Sequence, residues 1–216
     1  MKGFEFKDID GEYTLVWYSG GAQSVQIPSF YNGRVVTAIG SHAFMVASAT
    51  TEVIIPPTIT RIERFAFKGC HVKSLIIPDS VTEIEREAFS GCWMEHVVLP
   101  TSIDRIEKGT FQQCFMLKSV TIPPFVTSIE RFAFFCCNNL EDVTIPSSVT
   151  SIAGSAFGSC GNLKKAFFEN PYGWYLQNSL FFSKEYSFAR DDLEHPPTAA
   201  KLLTKVYSYN AYWKRK

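Results

Sequence analysis

The chain has 216 residues, of which 46% are hydrophobic, so it can bury a sizeable core as one domain. Its 21 basic and 21 acidic residues balance, which excludes long-range attraction to nucleic acid or to an anionic membrane as its organising feature. No apolar run approaches the roughly 20 residues of a membrane span, and the N-terminus MKGFEFKDIDGEY lacks the apolar stretch of a signal peptide. The sequence as given therefore predicts no membrane insertion, and it leaves two alternatives, a cytoplasmic protein or one whose N-terminal segment has been trimmed.

The first 34 residues predict a cap for one end of the protein. Residues 4–18 alternate between apolar and polar side chains on either side of Asp10-Gly11, which indicates a β-hairpin. The apolar residues of its two strands are Phe4, Phe6, Tyr13, Leu15 and Trp17. Because a stack of repeats ends in an open edge, we expect this aromatic hairpin, within residues 1–34, to cover that edge.

A set of residues recurs every 22 or 23 positions between residues 35 and 168. One column holds the pairs Ile55-Pro56, Ile77-Pro78, Leu99-Pro100, Ile122-Pro123 and Ile145-Pro146. A second holds Phe44, Phe67, Phe89, Phe111, Phe134 and Phe157, and a third holds Cys70, Cys92, Cys114, Cys137 and Cys160. A fixed period in this range predicts a solenoid of about six stacked repeats.

Residues 117–137 show how one repeat is expected to fold. Its inward-pointing residues are, in order, Val120, Ile122, Val126, Ile129, Ala133, Phe134 and Cys137. Thr121 lies between two inward residues and points outward, and Pro123 ends the strand because it lacks an N–H donor. The sequence predicts a mainly β repeat solenoid. We expect a right-handed coil with one parallel sheet of first strands, a second ladder of shorter strands, and a short helical turn before each column Cys.

The cysteine column predicts buried free thiols that fill space in the core. Side chains that stack in parallel do not converge as zinc ligands or meet at disulfide distance, and no Cys-x-x-Cys pair is present. We therefore expect no metal, no cofactor and no disulfide. Cys136 breaks the column and is the best candidate for an exposed thiol.

Residues 169–216 leave the repeat and predict a C-terminal cap, so that the whole chain forms one structural domain. A helix is expected to start at Pro196-Pro197-Thr198, with Thr198 as the candidate N-cap, and to run to about Tyr209. One face of it would carry Ala200, Leu203, Val206 and Tyr207. The terminal Lys214-Arg215-Lys216 is interpreted as a solvated end rather than a nucleic-acid tail.

The repeat resembles a known family. The pattern L-x-x-V-x-I-P-x-x-V-T-x-I-x-x-x-A-F-x-x-C is similar to the BspA-like (Treponema pallidum-type) leucine-rich repeats, and residues 27–44 resemble the segment that enters such arrays. Many members have Gly at the position held here by Glu63, Glu85, Glu107 and Glu130. The resemblance implies a bacterial binding module used for adhesion or contact with host proteins. It also implies a secreted or cell-surface location.

No pattern in the sequence indicates catalysis. The four histidines stand in unlike contexts, and no metalloprotease, hydrolase, phosphate-loop or dinucleotide motif is present. Cys92 and His96 are close in sequence, but a column cysteine should face the core while His96 faces out. The sequence therefore predicts a protein that is not an enzyme.

The outward residues of the first strands are the candidate binding surface. One column comprises Ile54, Ile76, Val98, Thr121, Thr144 and Phe167, and its neighbour comprises Glu52, Ser74, His96, Ser119, Asp142 and Lys165. The apolar start of the first column has two interpretations: the strand propensity of β-branched residues, or an adhesive strip for a partner. Exposed aromatics are further candidates, namely Phe65, Trp93, Phe115, Phe125 and Phe132, unless they pack locally between turns.

Charges on the second ladder are expected to pair. Arg61, Glu83 and Arg105 alternate in sign along one column. The like-charged column Glu63, Glu85, Glu107 and Glu130 is expected to be screened by Arg64, Arg86, Lys108 and Arg131. Such exposed pairs contribute at most about 1 kcal/mol each, so their role is solubility.

Two functional hypotheses follow from the sequence. The first is a non-enzymatic module that binds a protein or a glycan through the first-strand face, with no nucleic-acid partner. The second is a structural protein that self-associates through the apolar strip. The oligomeric state is accordingly a monomer or a weak homodimer.

Overall fold

The N-terminal hairpin is the first element of the fold. The computed structural model describes residues 3–45, 47–178, 186–187, 189–205 and 211–215. Strands β1 (Phe4–Ile9) and β2 (Glu12–Tyr18) pair antiparallel and are followed by β3 (Ser24–Gln26), β4 (Phe30–Tyr31) and β5 (Arg34–Ile39). The Tyr18 ring lies 4.8 Å from Phe4 and 5.4 Å from Phe44, the first ring of the Phe column. The hairpin therefore covers the end of the core, as predicted.

The repeats form a mainly β solenoid in which each turn contributes two short strands. In chain order these are β6 (Glu52–Ile54), β7 (Arg61–Ile62), β8 (Ser74–Ile76), β9 (Glu83–Ile84), β10 (His96–Val98), β11 (Arg105–Ile106), β12 (Ser119–Thr121), β13 (Ser128–Ile129), β14 (Asp142–Ile145), β15 (Ser151–Ala153) and β16 (Lys165–Phe168). The first strands build a seven-stranded sheet in the order β16-β14-β12-β10-β8-β6-β3, called here the first sheet. Strand β5 and the shorter strands β7, β9, β11, β13 and β15 form the second ladder. The predicted fold class is confirmed.

The register of the first sheet follows the sequence columns. Val97 lies opposite Leu75 on one side and Val120 on the other, in parallel pairing. The middle residue of each three-residue strand is buried and its two neighbours are exposed, because successive side chains point to opposite faces. A slip by one residue would expose the whole buried set, so the hydrophobic pattern fixes the register.

The Phe column forms the axis of the core. Its six rings stack in sequence order, with neighbouring centroids 4.8, 5.2, 5.5, 5.4 and 5.1 Å apart and interplanar angles between 4° and 18°. Every one of these rings is at most 1% exposed. Each internal ring therefore packs between the rings of two neighbouring turns.

The column cysteines lie in the core as buried free thiols, as predicted. The thiols of Cys92, Cys114, Cys137 and Cys160 donate to the carbonyls of Phe67, Phe89, Phe111 and Phe134, at 2.8, 3.1, 3.1 and 3.0 Å. Burial raises the pKa of Cys114 and of Cys160 to about 12. Cys136, outside the column, is half-buried.

The segment before each column Cys differs from the predicted helical turn. In the repeat around Phe134, the Ala133 N–H donates to Glu130 and the Phe135 N–H donates to Phe132, at 3.1 and 3.0 Å. Phe132 and Cys136 have φ angles of 62° and 61°, in the left-handed region that a right-handed helix cannot contain. The segment is therefore a series of hydrogen-bonded turns.

The C-terminal end is closed by helices and a small sheet. Its elements are β17 (Trp174–Asn178), β18 (Tyr186–Ser187), α1 (Arg190–Glu194), α2 (Pro196–Lys205) and β19 (Ala211–Arg215). Strand β19 lies antiparallel between β15 and β17 and so extends the second ladder. Trp213 and Trp174 are buried and pack against Phe168, at 6.1 and 5.3 Å between ring centroids. The predicted helical cap is present. It also contains a strand, β19, that the repeat pattern does not predict.

Details of the predicted C-terminal segment are wrong. Helix α2 begins at Pro196, so Thr198 lies inside its first turn and is not the N-cap. Lys214 and Arg215 are not a solvated end, because they belong to β19, where the Lys214 ammonium donates to the Ser151 hydroxyl at 3.0 Å.

The remaining parts of the predicted C-terminal helix and of the domain division are open. The positions Val206 and Tyr207, and the helix end near residue 209, lie outside the described residues. The boundaries at residues 34 and 168 stay a prediction. The first sheet itself already begins at Ser24.

The second ladder is interrupted between β9 and β11. Within the described chain, one sheet contains β5-β7-β9 and another contains β11-β13-β15. At intact junctions a Thr before the strand donates its N–H to the same position one turn earlier, as Thr82 does to Thr60 and Thr150 to Thr127, both at 2.9 Å. The hydroxyls of Thr82 and Thr150 also approach these carbonyls, at 3.5 and 3.4 Å. A Thr at this position thus donates twice to the preceding turn.

Asp104 occupies the Thr position at the interruption. Its carboxylate cannot donate a hydrogen bond, and it would repel the Thr82 carbonyl. It instead accepts from the Arg105 guanidinium at 3.1 Å, and this hydrogen bond lowers the pKa of the Asp104 carboxyl. An open crevice of about 440 Å³ results, with Glu83 and Arg105 among the residues that line it. The charge of one residue type therefore explains why the ladder opens here.

Restoring the hydroxyl should close the ladder. We expect Asp104→Thr to add two backbone hydrogen bonds, the first from the N–H of position 104 to the Thr82 carbonyl. In urea denaturation the free energy of unfolding should rise by about 1–2 kcal/mol. The second of these bonds would run from the Glu107 N–H to Ile84, as Glu85 bonds Ile62 at 2.9 Å in the preceding turn. Asp104→Ala, which removes the charge without adding a donor, should gain less. Unchanged hydrogen exchange at the Glu107 amide in the Thr variant would contradict this explanation.

Candidate protein-binding surface

The outward face of the first sheet, called here the ladder face, is open to solvent. It presents the two predicted columns, Ile54, Ile76, Val98, Thr121, Thr144 and Phe167 beside Glu52, Ser74, His96, Ser119, Asp142 and Lys165, and all twelve residues are exposed. Sheets of parallel strands are usually covered on both faces. Here the inner face packs on the core, and no described element covers the outer one. The fold thus leaves one broad sheet face uncovered.

Three apolar side chains lie on adjacent strands of the ladder face. Ile54, Ile76 and Val98, called here the apolar strip, are 47%, 71% and 55% exposed. Their strands are neighbours in the sheet, so the side chains follow one another at about the 4.8 Å strand spacing. A groove of about 300 Å³ runs beside Ile54 and Ile76, with Glu52 and Pro78 in its wall. The structure therefore brings together the apolar half of the predicted site.

The other predicted residues of the ladder face form a more polar region. Thr121 and Thr144 continue the first column, and Phe167, 43% exposed, ends it three strands beyond the apolar strip. In the second column His96 Nδ1 lies 3.3 Å from the Ser119 hydroxyl. The ladder face thus changes from apolar to polar along the solenoid.

A column of alternating charges borders the ladder face and was missed by the sequence reasoning. It comprises Lys73, Glu95, Lys118, Glu141 and Lys164, each before a first strand. Glu95 pairs with Lys118 at 2.5 Å and Glu141 with Lys164 at 3.9 Å. The hydrogen bond from Lys118 lowers the pKa of Glu95. The same spacing of 22 or 23 residues that revealed the repeat would have revealed this column.

The predicted aromatic candidates lie outside the ladder face. Phe65 and Phe132 stand in turns that follow the second ladder and are half-buried. The Phe65 ring contacts the Arg64 guanidinium at 4.9 Å and the Lys68 ammonium at 4.7 Å. These contacts favour local packing of Phe65 between turns.

Trp93 is one of three accessible side chains among the predicted aromatic candidates. It lies three residues before β10 and is 58% exposed, with its ring 4.8 Å from that of His71. Phe115 and Phe125, 48% and 68% exposed, are likewise accessible. Their role in binding stays a prediction.

The charges of the second ladder are arranged differently from the prediction. Arg61 pairs with Glu63 at 3.2 Å and Arg105 with Asp104, so the expected pairing along Arg61, Glu83 and Arg105 is wrong.

In the Glu column, carboxylates bind backbone groups of the preceding turn. Glu63 accepts from the Ser41 N–H and Glu85 from the Arg64 N–H, both at 3.0 Å. Glu63 and Glu85 therefore join turns through the backbone, and the expected screening of the Glu column by the basic column stays a prediction.

The described residues offer no constellation for catalysis or metal binding. No group of three or more His, Cys, Asp or Glu side chains converges within them. Cys92 is buried, and burial raises its pKa well above the ordinary value, whereas His96 is exposed on the ladder face. The two do not form a nucleophile and base. Among the described helices, none has the length and apolar character needed to span a bilayer.

Stacked turns with two short parallel strands each, an aromatic core and one open sheet face define a leucine-rich-repeat-type solenoid. The sequence model of the BspA type leucine rich repeat region matches residues 37–164 in 6 copies. The chain belongs to this family, and the resemblance inferred from the sequence is confirmed.

Solved bacterial structures support the same conclusion. A leucine rich cell surface protein of Faecalibacterium prausnitzii is 25% identical, with a TM-score of 0.61 over 83% of this chain and 58% of its own. The leucine-rich repeat protein of T. pallidum is 25% identical and has a TM-score of 0.54. The match covers 76% of this chain and 68% of that protein. The pneumococcal vaccine antigen PcpA, 22% identical, shares the fold with a TM-score of 0.67 over 81% and 50%. The chain thus spans about half to two thirds of these proteins. No curated protein matches it.

Proposed function

We propose that the protein is a non-enzymatic module that binds a protein partner through the ladder face, at a bacterial cell surface. The observation that carries the proposal is the apolar strip: three large apolar side chains on adjacent strands, exposed on a rigid sheet that nothing described covers. A contiguous exposed apolar patch with a polar border is typical of interaction sites. Charged side chains beside it, of which Glu95 pairs with Lys118, give the polar border.

Rigidity favours this use of the ladder face. The strip residues project from strands whose middle residues are locked in the core, so their positions are fixed before a partner arrives. A preorganised surface loses little conformational entropy on binding. The surface location is proposed from the similarity to the Faecalibacterium prausnitzii protein, which is described as a cell surface protein.

Replacing the strip with threonine tests the proposal. The triple variant Ile54→Thr, Ile76→Thr, Val98→Thr keeps β-branched residues and should leave the thermal midpoint nearly unchanged. Burial of three such side chains contributes several kcal/mol, so we expect the affinity for the partner to fall by at least about tenfold. The measurement is quantitative pull-down from host and bacterial extracts, followed by titration of the captured protein.

The control is Ile9→Thr, which makes the same substitution at an exposed isoleucine of β1, outside the ladder face. A partner bound equally well by the triple variant and by the control would refute the proposed surface. Light scattering adds a second outcome: a concentration-dependent dimer that the triple variant abolishes would favour self-association through the strip instead.

A further inference from the structure

The first sheet has two ends, and among the described residues only the C-terminal end is closed. At the C-terminal end, β16 packs against α1 and α2. At the N-terminal end, β3 pairs with β6 on one side, and on its other side no residue of the described chain pairs with it. The hairpin β1-β2 joins the second ladder through β5, so it covers the core but not the edge of β3. The first sheet therefore ends in a free strand edge.

The free edge carries unpaired backbone groups. Gln23 accepts from Thr51 and Glu52, and the Ile27 N–H donates to Ile54, so residues 23, 25 and 27 face β6. Because alternate peptide groups of a strand point to opposite sides, the N–H and C=O groups of Ser24 and Gln26 face the open edge. The side chains of both residues are exposed. This is the arrangement that accepts an added strand.

The edge lacks the features that usually prevent strand addition. Charged side chains, prolines within the strand and bulges blunt natural edges. Residues 19–27 contain no charged residue and no proline, and β3 pairs with β6 in continuous register. Strand β3 is short, but β8, β10 and β12 are also only three residues long, and each of them pairs on both sides. Three residues are therefore enough for pairing in this sheet.

We propose that the edge of β3 is a second binding site, separate from the ladder face, which takes an extended strand of a partner polypeptide. The partner strand pairs with Ser24 and Gln26 through its backbone and continues the first sheet by one rung. Main-chain pairing supplies the affinity in this mode of recognition, and the uncharged surroundings admit partner strands of either charge.

A peptide with the sequence of the natural neighbour of β3 provides the probe. We expect a fluorescein-labelled peptide of residues 50–56, TTEVIIP, to bind saturably in fluorescence polarisation. Ser24→Pro removes an N–H from the open edge without touching a bond to β6, and should weaken binding at least tenfold. The peptide itself supplies a variant that leaves the protein intact. N-methylation removes a backbone N–H donor from the peptide. Methylation of the alternate residues whose N–H groups face β3 should abolish binding, and methylation of the other alternate set should leave binding unchanged.

Hydrogen exchange of the free protein gives an independent readout. The Ser24 and Gln26 amides should exchange at least about 100-fold faster than the Val25 amide, and addition of the probe should slow them. Slow exchange at Ser24 and Gln26 without the probe would show that the edge is already covered, and would overturn the proposal. Absence of probe binding at 1 mM, or equal binding by Ser24→Pro, would overturn it as well.

Discussion

Phe134→Ala should lower the free energy of unfolding by about 3–5 kcal/mol. The ring is fully buried and stacks between Phe111 and Phe157, at 5.4 and 5.1 Å. Its removal loses the transfer free energy of an aromatic side chain and leaves a cavity between two turns that the strands of both sheets hold at fixed spacing. Because each turn contacts only its neighbours, a cavity in the middle of the stack weakens both of its interfaces.

Urea denaturation measures this loss, with two variants for comparison. Phe125→Ala removes an exposed phenyl ring and should change stability by no more than about 0.5 kcal/mol. Phe134→Leu keeps most of the buried volume and should lose less than Phe134→Ala. A loss below about 1 kcal/mol for Phe134→Ala would mean that the stacked rings do not hold the turns together.

The repeat made most of the fold predictable from the sequence. Residues that recur at a fixed spacing must occupy equivalent positions in stacked turns, so the Phe and Cys columns and the two ladder-face columns followed without knowledge of any contact. The burial of alternate strand residues then fixed which side chains reach solvent. For this reason Ile54, Ile76 and Val98 could be placed on one face before the structure was known.

Departures from the repeat were harder to predict. Strand β19 pairs with β15 some 60 residues away, and no periodic signal links the two segments. The sequence has Asp104 at a position where the neighbouring turns have Thr. The effect of this residue on the second ladder depends on the direction of the Thr82 carbonyl, which the spacing does not give. The pairing of Arg61 with Glu63, two residues along its own chain, likewise reflects side-chain geometry that column spacing cannot supply.

The protein should lose stability steeply as the pH rises above about 9. Cys92 and Cys137 have pKa values raised well above the ordinary value, and those of Cys114 and Cys160 are raised to about 12, with burial as the first cause in each. The unfolded chain ionises its thiols near pH 9, whereas the folded protein keeps them neutral. Above that pH the unfolded state therefore binds fewer protons, and the free energy of unfolding falls until the folded thiols ionise, which for Cys114 and Cys160 happens near pH 12.

Each such thiol contributes a loss of about 1.4 kcal/mol per pH unit in this window, so four together give about 5 kcal/mol per unit. A domain with a typical stability of about 5–15 kcal/mol would unfold before the thiols of the folded state titrate. We expect an alkaline unfolding transition between about pH 10 and 11.5, followed by circular dichroism in the presence of reductant.

Single substitutions separate the thiols from other groups that titrate at high pH. Cys114→Ala should make the pH dependence shallower by about 1.4 kcal/mol per unit, whatever it costs in packing at neutral pH. Cys136→Ala, which removes a thiol outside the buried column, is the matched control. Equal slopes for wild type and Cys114→Ala, whatever their absolute stabilities, would show that the column thiols do not ionise on unfolding. The buried cysteine ladder would then be a packing feature without influence on the pH range in which the solenoid persists.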